Sequence, residues 1–124
     1  MEDIERPDFL CIHVSSNDIG SGRKVETIEE NLEYLIKLVK EQNVQPIMSL
    51  VIQRNDNNRY SYLVDEVNRR IIQLCEKYNV GYIDHSNITT EHLNAGGVHI
   101  SNHYNYLLLK NMSSCFNYVV KHYV

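Results

Sequence analysis

The side chains that could do chemistry gather in three polar stretches, Ser15 to Gly22, Gln53 to Arg59 and Asp84 to His99, with His103 just beyond. Ser15 and Ser16 offer hydroxyls, which act as nucleophiles only beside a base and in a strained turn that exposes them. In an ordinary turn the same hydroxyls, and the Asn17-Asp18 pair after them, simply bond loop amides. His85, His92, His99 and His103 crowd one region, and the last two stand at a spacing that shares a helix face. No His-Glu-x-x-His pattern or paired-Cys knuckle accompanies them, so no metal site is expected and the other histidines read as solvated loop residues. Arg54, Arg59, Arg69 and Arg70 could form a basic patch for phosphate. With Asp65 and Glu66 as neighbours, they read more readily as a solvated helix face. Asp84 is expected to cap the loop that follows it through backbone amides. Cys11 is a better intrinsic nucleophile than serine, but its place inside an apolar run points to core packing.

Positioning such side chains is the work of the elements between them. Phe9 to Val14 is a short apolar run bounded by Pro7 and turn residues, which suits a strand covered on both faces. Thr27-Ile28-Glu29-Glu30 fits a capping box at a helix start, and Ile28, Leu32, Leu35, Ile36 and Val39 recur behind it at helical spacing. A second strand is predicted over 47–52 and a third, weaker one over 80–84. Helices are predicted over 27–42, 60–79 and 103–121. This alternation requires right-handed crossovers and a parallel sheet in sequential order with helices on both faces. The fold class is α/β: a three-layer α/β/α, flavodoxin-like arrangement in one domain, 1–124. In such sheets ligands bind outside the carboxyl ends of the strands, where the three polar stretches meet.

Composition narrows the function classes. The chain has 124 residues, 43% hydrophobic and 23% charged, values ordinary for a domain that buries a core. A formal charge of -4 gives no general attraction to nucleic acid or to anionic membranes. No apolar run approaches the roughly 20 residues that span a bilayer. The acidic N-terminus lacks the apolar stretch of a secretory signal. Three widely spaced cysteines, Cys11, Cys75 and Cys115, suggest reduced thiols and a cytoplasmic setting. The sequons at Asn87 and Asn111 are then expected to stay bare, and no cofactor is expected.

One set of motifs is more specific. Pro7-Asp8 followed by Ile12-His13-Val14-Ser15-Ser16-Asn17-Asp18-Ile19 resembles the third block of SGNH (GDSL-type) hydrolases, commonly Pro-Asp, a strand, then Gly-Thr-Asn-Asp. Tyr82 to Ile88, then His92-Leu93-Asn94 and Gly96-Gly97-Val98-His99-Ile100, resembles the terminal segment that carries the family's histidine. The combination is most similar to the esterase-like domain in the first reading frame of some animal LINE-type retrotransposons. Nearly the whole chain takes part. The resemblance implies ester cleavage by acyl transfer. Asn17 then matches the side-chain oxyanion donor and His99 the base, with Ser15, Ser16, Asp18, Arg54 and Asp84 as further binding positions.

The departures from the pattern matter as much. The family's serine sits in a Gly-Asp-Ser block after a first strand, and this sequence begins at the strand that bears the Asn. Gly96 stands where an Asp usually precedes the histidine, and Ser15 replaces the Gly of Gly-Thr-Asn-Asp. Removing a nucleophile leaves a residual enhancement of roughly 10³–10⁴ from binding and the oxyanion hole, far below a working hydrolase. Two functions follow as expectations. One is an N-terminally truncated, degenerate esterase with weak or no turnover on an unidentified ester. The other is a non-catalytic RNA- or protein-binding module on the same loop edge. The apolar strand at 9–14 is also expected to leave an edge open to self-association.

Overall fold

The computed structural model describes residues 8–13 and 16–123, except for the side chains of Asn17 and residues 116–123. Strands β1 (Phe9–Ile12), β2 (Gln45–Ser49) and β3 (Gly81–Ile83) form a parallel sheet in the order β1-β2-β3. Helix α1 spans Ser16–Gly20, α2 Val25–Glu41, α3 Asn58–Tyr78 and α4 Asn105–Tyr123. The α/β class, parallel sense and sequential order match the sequence reading. Helices α2 and α3 cover one face of the sheet and α4 the other.

The strand boundaries differ from expectation for identifiable reasons. Strand β2 begins at Gln45 and ends at Ser49 instead of spanning 47–52. Its early start takes Pro46 into the central strand, which ordinarily excludes proline. Gln45 N–H donates to the carbonyl of Asp8, just before β1, so the next nitrogen, that of Pro46, faces the other side. There β3 has not yet begun, because Gly81 stands opposite Ile47. At the far end Asn68 of α3 holds both backbone groups of Val51, accepting from its N–H at 2.7 Å and donating to its carbonyl at 2.9 Å. That pair of bonds takes the chain out of the ladder. Strand β1 stops at Ile12, and Val14 lies outside the described residues.

Two local expectations need correction. Helix α2 starts at Val25 behind Lys24, which makes no side-chain cap, so Thr27 and Glu30 lie inside the helix and the predicted capping box is not the start signal. Helix α1 was expected to be a loop; its short turn of helix has Ile19 as its buried residue, 1% exposed. The ends of α2 and α3 follow the rule for left-handed caps: Asn43 has φ 59° and Asn79 φ 54°, a conformation asparagine tolerates better than most residues.

Periodicity becomes packing on the α2/α3 face. Ile28, Leu32, Ile36 and Val39 of α2 meet Val64, Val67, Ile71 and Leu74 of α3 over Ile12 and Met48 of the sheet and Leu50 just past β2. Arg70 ties α3 to α2 through Glu29 at 3.1 Å, and Lys77 does so through Glu33 at 2.8 Å. The other face carries a smaller cluster, Ile47 and Ile83, with Phe9, Cys11, Met112 and Cys115 packed against it. Among the described residues β1 pairs only with β2, and Leu10 on it is 44% exposed. No helix among the described residues is long and apolar enough to cross a membrane.

Candidate active site

At the carboxyl edge of the sheet, the chain leaving β1 and β2 meets the loop before α4 around a cleft of about 620 Å³. His13, Ser16, Asp18, Val51, Ile52 and His99 line it, with Asn105 and Leu108 of α4. His99 is exposed at the end of a pinned turn. Leu93 and Ile100 form an antiparallel bridge, and Asn94 N–H donates to the His99 carbonyl at 2.8 Å. Gly97 closes the turn at φ 73°, and its carbonyl accepts from Asn55 N–H at 2.7 Å. A Cβ at Gly97 would sit 2.7 Å from the Asn55 carbonyl carbon, so only glycine permits the approach that holds this turn against loop 53–56.

Arg54 corrects the basic-patch reading. It is 5% exposed, and its guanidinium grips Asp56 through two bonds, Nε to Oδ1 at 2.8 Å and Nη2 to Oδ2 at 2.6 Å. A third bond runs to the Ser16 carbonyl at 2.8 Å, and the guanidinium lies 4.8 Å from the Tyr60 ring centroid. Arg54 therefore clips α1, loop 53–56 and α3 together, and is no phosphate ligand. Its hydrogen bonds hold the Asp56 carboxyl below the usual range. Arg69 and Arg70 are likewise ion-paired, both to Glu66. Ion pairing, rather than a free patch, is the outcome for three of the four arginines.

The remaining site positions separate. Asp18 lines the cleft and pairs with Arg23 at 3.1 Å. The Asn17 backbone lies between Ser16 and Asp18 in α1, and Ser15 lies outside the described residues. Asp84 accepts from Ser86 N–H at 2.7 Å, the expected loop cap, and lines a second cleft of about 350 Å³ beside His85, Asp65 and Asn68. His99 and Asp84 thus serve different clefts. The histidines do not gather as one set: His92 and His103 each meet the edge of the Tyr104 ring, at centroid distances of 4.7 and 5.0 Å.

What sequence reasoning missed is a polar row under the cleft. Ser49 Oγ lies 2.6 Å from His13 Nδ1 and 2.6 Å from His85 Nε2. His85 Nδ1 lies 3.0 Å from Asn111 Nδ2, and Asn111 exchanges two hydrogen bonds with Asn87. Ser49 is 1% exposed and His85 3%, so His85 is a core histidine and not the solvated loop residue expected. Burial, with His13 nearby, pushes its pKa down to about 4 against the opposing pull of Asp84. Desolvation lowers His13 as well. The available signal was positional: two residues after Cys11, Ile47 and Ile83, which lie on the face that α4 covers, stand the polar His13, Ser49 and His85.

Fold and edge together define an α/β domain with its cleft at the carboxyl ends of a parallel sheet. A family model for GDSL-like lipases and acylhydrolases matches residues 2–105, and the chain belongs to that family. A search of curated proteins found no match. Among solved structures, a GDSL-like lipase from Bacteroides thetaiotaomicron superposes with a TM-score of 0.81 at 12% identity, over 91% of this chain and 63% of that one. An acetylxylan esterase from Geobacillus stearothermophilus gives 0.71 at 17%, over 86% and 57%. A lipolytic G-D-S-L family member from Veillonella parvula gives 0.76 at 21%, over 93% and 67%. The chain spans less than two thirds of the length of the first two.

Proposed function

We propose that this chain is a GDSL esterase-like domain whose 620 Å³ cleft receives the acyl group of an ester, with His99 as the base and Asn17 as an oxyanion donor. The observation that carries this reading is that His99 and helix α1, which bears Asn17, border one cleft at the carboxyl edge. Ser16 supplies the single hydroxyl among its described lining residues. Ser16 opens a helix whose carbonyl is held by Arg54, a setting unlike the sharp turn that exposes a nucleophile. The domain is accordingly a degenerate esterase that binds acyl groups and does not turn them over by itself. A nucleic-acid role gains no support from the arginines, since Arg54, Arg69 and Arg70 are already paired.

The test is hydrolysis of short-chain aryl esters by the purified chain beside its His99→Ala and Ser16→Ala variants. All three are expected to give the same background rate. Clear turnover that disappears in His99→Ala would overturn the catalytic silence, and a parallel loss in Ser16→Ala would name the nucleophile.

A further inference from the structure

The hydrogen-bonded row under the cleft has a direction, and Asn111 sets it. The Asn111 side-chain oxygen is taken by Asn87 Nδ2 at 3.2 Å, while its nitrogen donates to Asn87 Oδ1 at 2.8 Å and faces His85 Nδ1 at 3.0 Å. An amide nitrogen donates and does not accept, so His85 Nδ1 is the acceptor and carries no hydrogen. A neutral His85 then holds its hydrogen on Nε2 and donates to Ser49 Oγ. The single Ser49 hydrogen goes to His13 Nδ1. His13 must in turn hold its own hydrogen on Nε2, and with Nδ1 engaged, Nε2 is the nitrogen left to the cleft that His13 lines.

We propose that His13 is a catalytic donor of this cleft, a neutral imidazole whose Nε2–H bonds the carbonyl oxygen of an acyl substrate and the oxyanion it becomes. Ser49, His85 and Asn111 are the positioning residues that fix its tautomer. The ligand class rests on the acyl reading of the cleft given above; the tautomer rests on the hydrogen-bond row alone. No bond is made or broken at His13. A neutral N–H stabilises developing negative charge without releasing its proton, which leaves proton abstraction to His99.

The row also opposes a charged His13. A second hydrogen on Nδ1 would point at Ser49, whose lone pairs would then both face imidazole hydrogens. The Ser49 hydrogen would be left without an acceptor in a site 1% exposed. The groups facing His13 add little to offset this. Asp18 of α1 is the one anion among the described cleft residues and is engaged by Arg23; His99, Asn105 of α4 and Ser16 are the other polar neighbours described there, with His85 behind Ser49.

Two-bond ¹⁵N–¹H correlation spectra of the labelled full chain read the tautomer of every histidine. At neutral pH, His13 and His85 are both expected as neutral Nε2–H forms. In Asn111→Asp the carboxylate must accept, which draws the hydrogen to His85 Nδ1 and reverses the row, so that His13 becomes the Nδ1–H form. In Ser49→Ala the row is cut, and His13 is expected to lose its single tautomer and titrate nearer its ordinary value. A cationic or Nδ1–H His13 in the parent chain overturns the inference, and so does an unchanged His13 in Ser49→Ala, which decides the matter should Asn111→Asp not fold. Butyrate is the ligand probe. It is expected to move the His13 Nε2 signal and to bind about tenfold more weakly to His13→Phe. Binding that leaves His13 unmoved overturns the donor assignment, whereas a correct tautomer with no butyrate binding at all overturns the acyl reading of the cleft.

Discussion

The two faces of one small sheet are built on opposite principles. Beneath α2 and α3, Ile12 and Met48 of the strands, with Leu50 just past β2, face two amphipathic helices in an apolar contact. Beneath α4 the described apolar part is Ile47 and Ile83 with the partly buried Phe9, Cys11, Met112 and Cys115, and the row beyond it is His13, Ser49 and His85. The first face can spend its exclusion of water wholly on stability, while the row on the second runs from the exposed His13 to the buried Ser49 and His85. The second buries groups that water would otherwise hydrate, and it is tolerable because each finds a partner: Ser49 has two imidazoles and His85 has Asn111. One strand pair thus carries a foundation on one side and directed polar chemistry on the other.

The largest effect expected from this contrast lies on the α2/α3 face. Ile36 is fully buried and Ile71 is 1% exposed, each facing the other helix and the sheet. Truncating either to alanine is expected to cost about 3 kcal/mol, the lost transfer energy plus a cavity between two helices held on both sides. Urea unfolding followed by circular dichroism measures it. A loss under about 1 kcal/mol would mean that the two helices close over the gap, and that this face is less firmly packed than described.

The polar face is expected to announce itself through pH. The folded chain holds His85 at about 4, well below the ordinary value near 6.5, because burial disfavours the imidazolium. Below that ordinary value the unfolded chain takes up a proton that the folded one refuses, so unfolding gains with each step of acidification. The contribution is therefore fully present above the ordinary value and is lost as pH falls from about 6.5 towards 4, a change on the order of 2–3 kcal/mol. The groups set to modulate it are His13 across Ser49, Asp84 beside His85, and Asp65 in the same cleft. Unfolding free energies measured across this window should slope in the parent chain and flatten in His85→Asn. An equal slope in both would place the buried proton site elsewhere.

How much of this contrast could be read from residues alone depends on the range of the interactions. The apolar face was legible: Ile28, Leu32, Ile36 and Val39 repeat within one helix, and local periodicity is all that is needed to orient it. The strands were legible as short apolar runs and their sequential order from the alternation with helices, while their exact bounds were not. The polar face was not legible, because Ser49 meets His13 and His85 across 36 residues in each direction, and nothing in Ile47-Met48-Ser49-Leu50 separates it from any strand serine. His85 looked like a loop histidine because the sequence around it, Asp84-His85-Ser86-Asn87, is that of a loop. Arg54 misled for the opposite reason. Its charge suggested exposure, while Asp56, two residues away, supplied the partner that let it be buried. At the cleft, His99 could be named from its motif, but the Gly97 turn that holds it depends on contact with Asn55 far earlier in the chain.

The smallest effects should come from α4, and they separate its two sides. Met112 is half-buried against Ile47 and Ile83, whereas Leu109 on the same helix is 65% exposed. Area sets the expectation. A half-buried methionine cut back to alanine gives up part of its apolar cover and leaves a hollow open to water, which should cost about 1 kcal/mol. Leu109→Ala removes surface that was wet to begin with, and helix propensity slightly favours alanine, so its stability should stay within about 0.5 kcal/mol of the parent chain. The pair is informative because Asn111 lies between them and reaches His85 from the same helix. If α4 is seated as described, Met112→Ala should lower stability modestly while Leu109→Ala leaves both stability and the His85 imidazole signals in place. A Leu109→Ala loss as large as that of Met112→Ala would mean that Leu109 is covered in solution, so that the outward side of α4 would be packed rather than free.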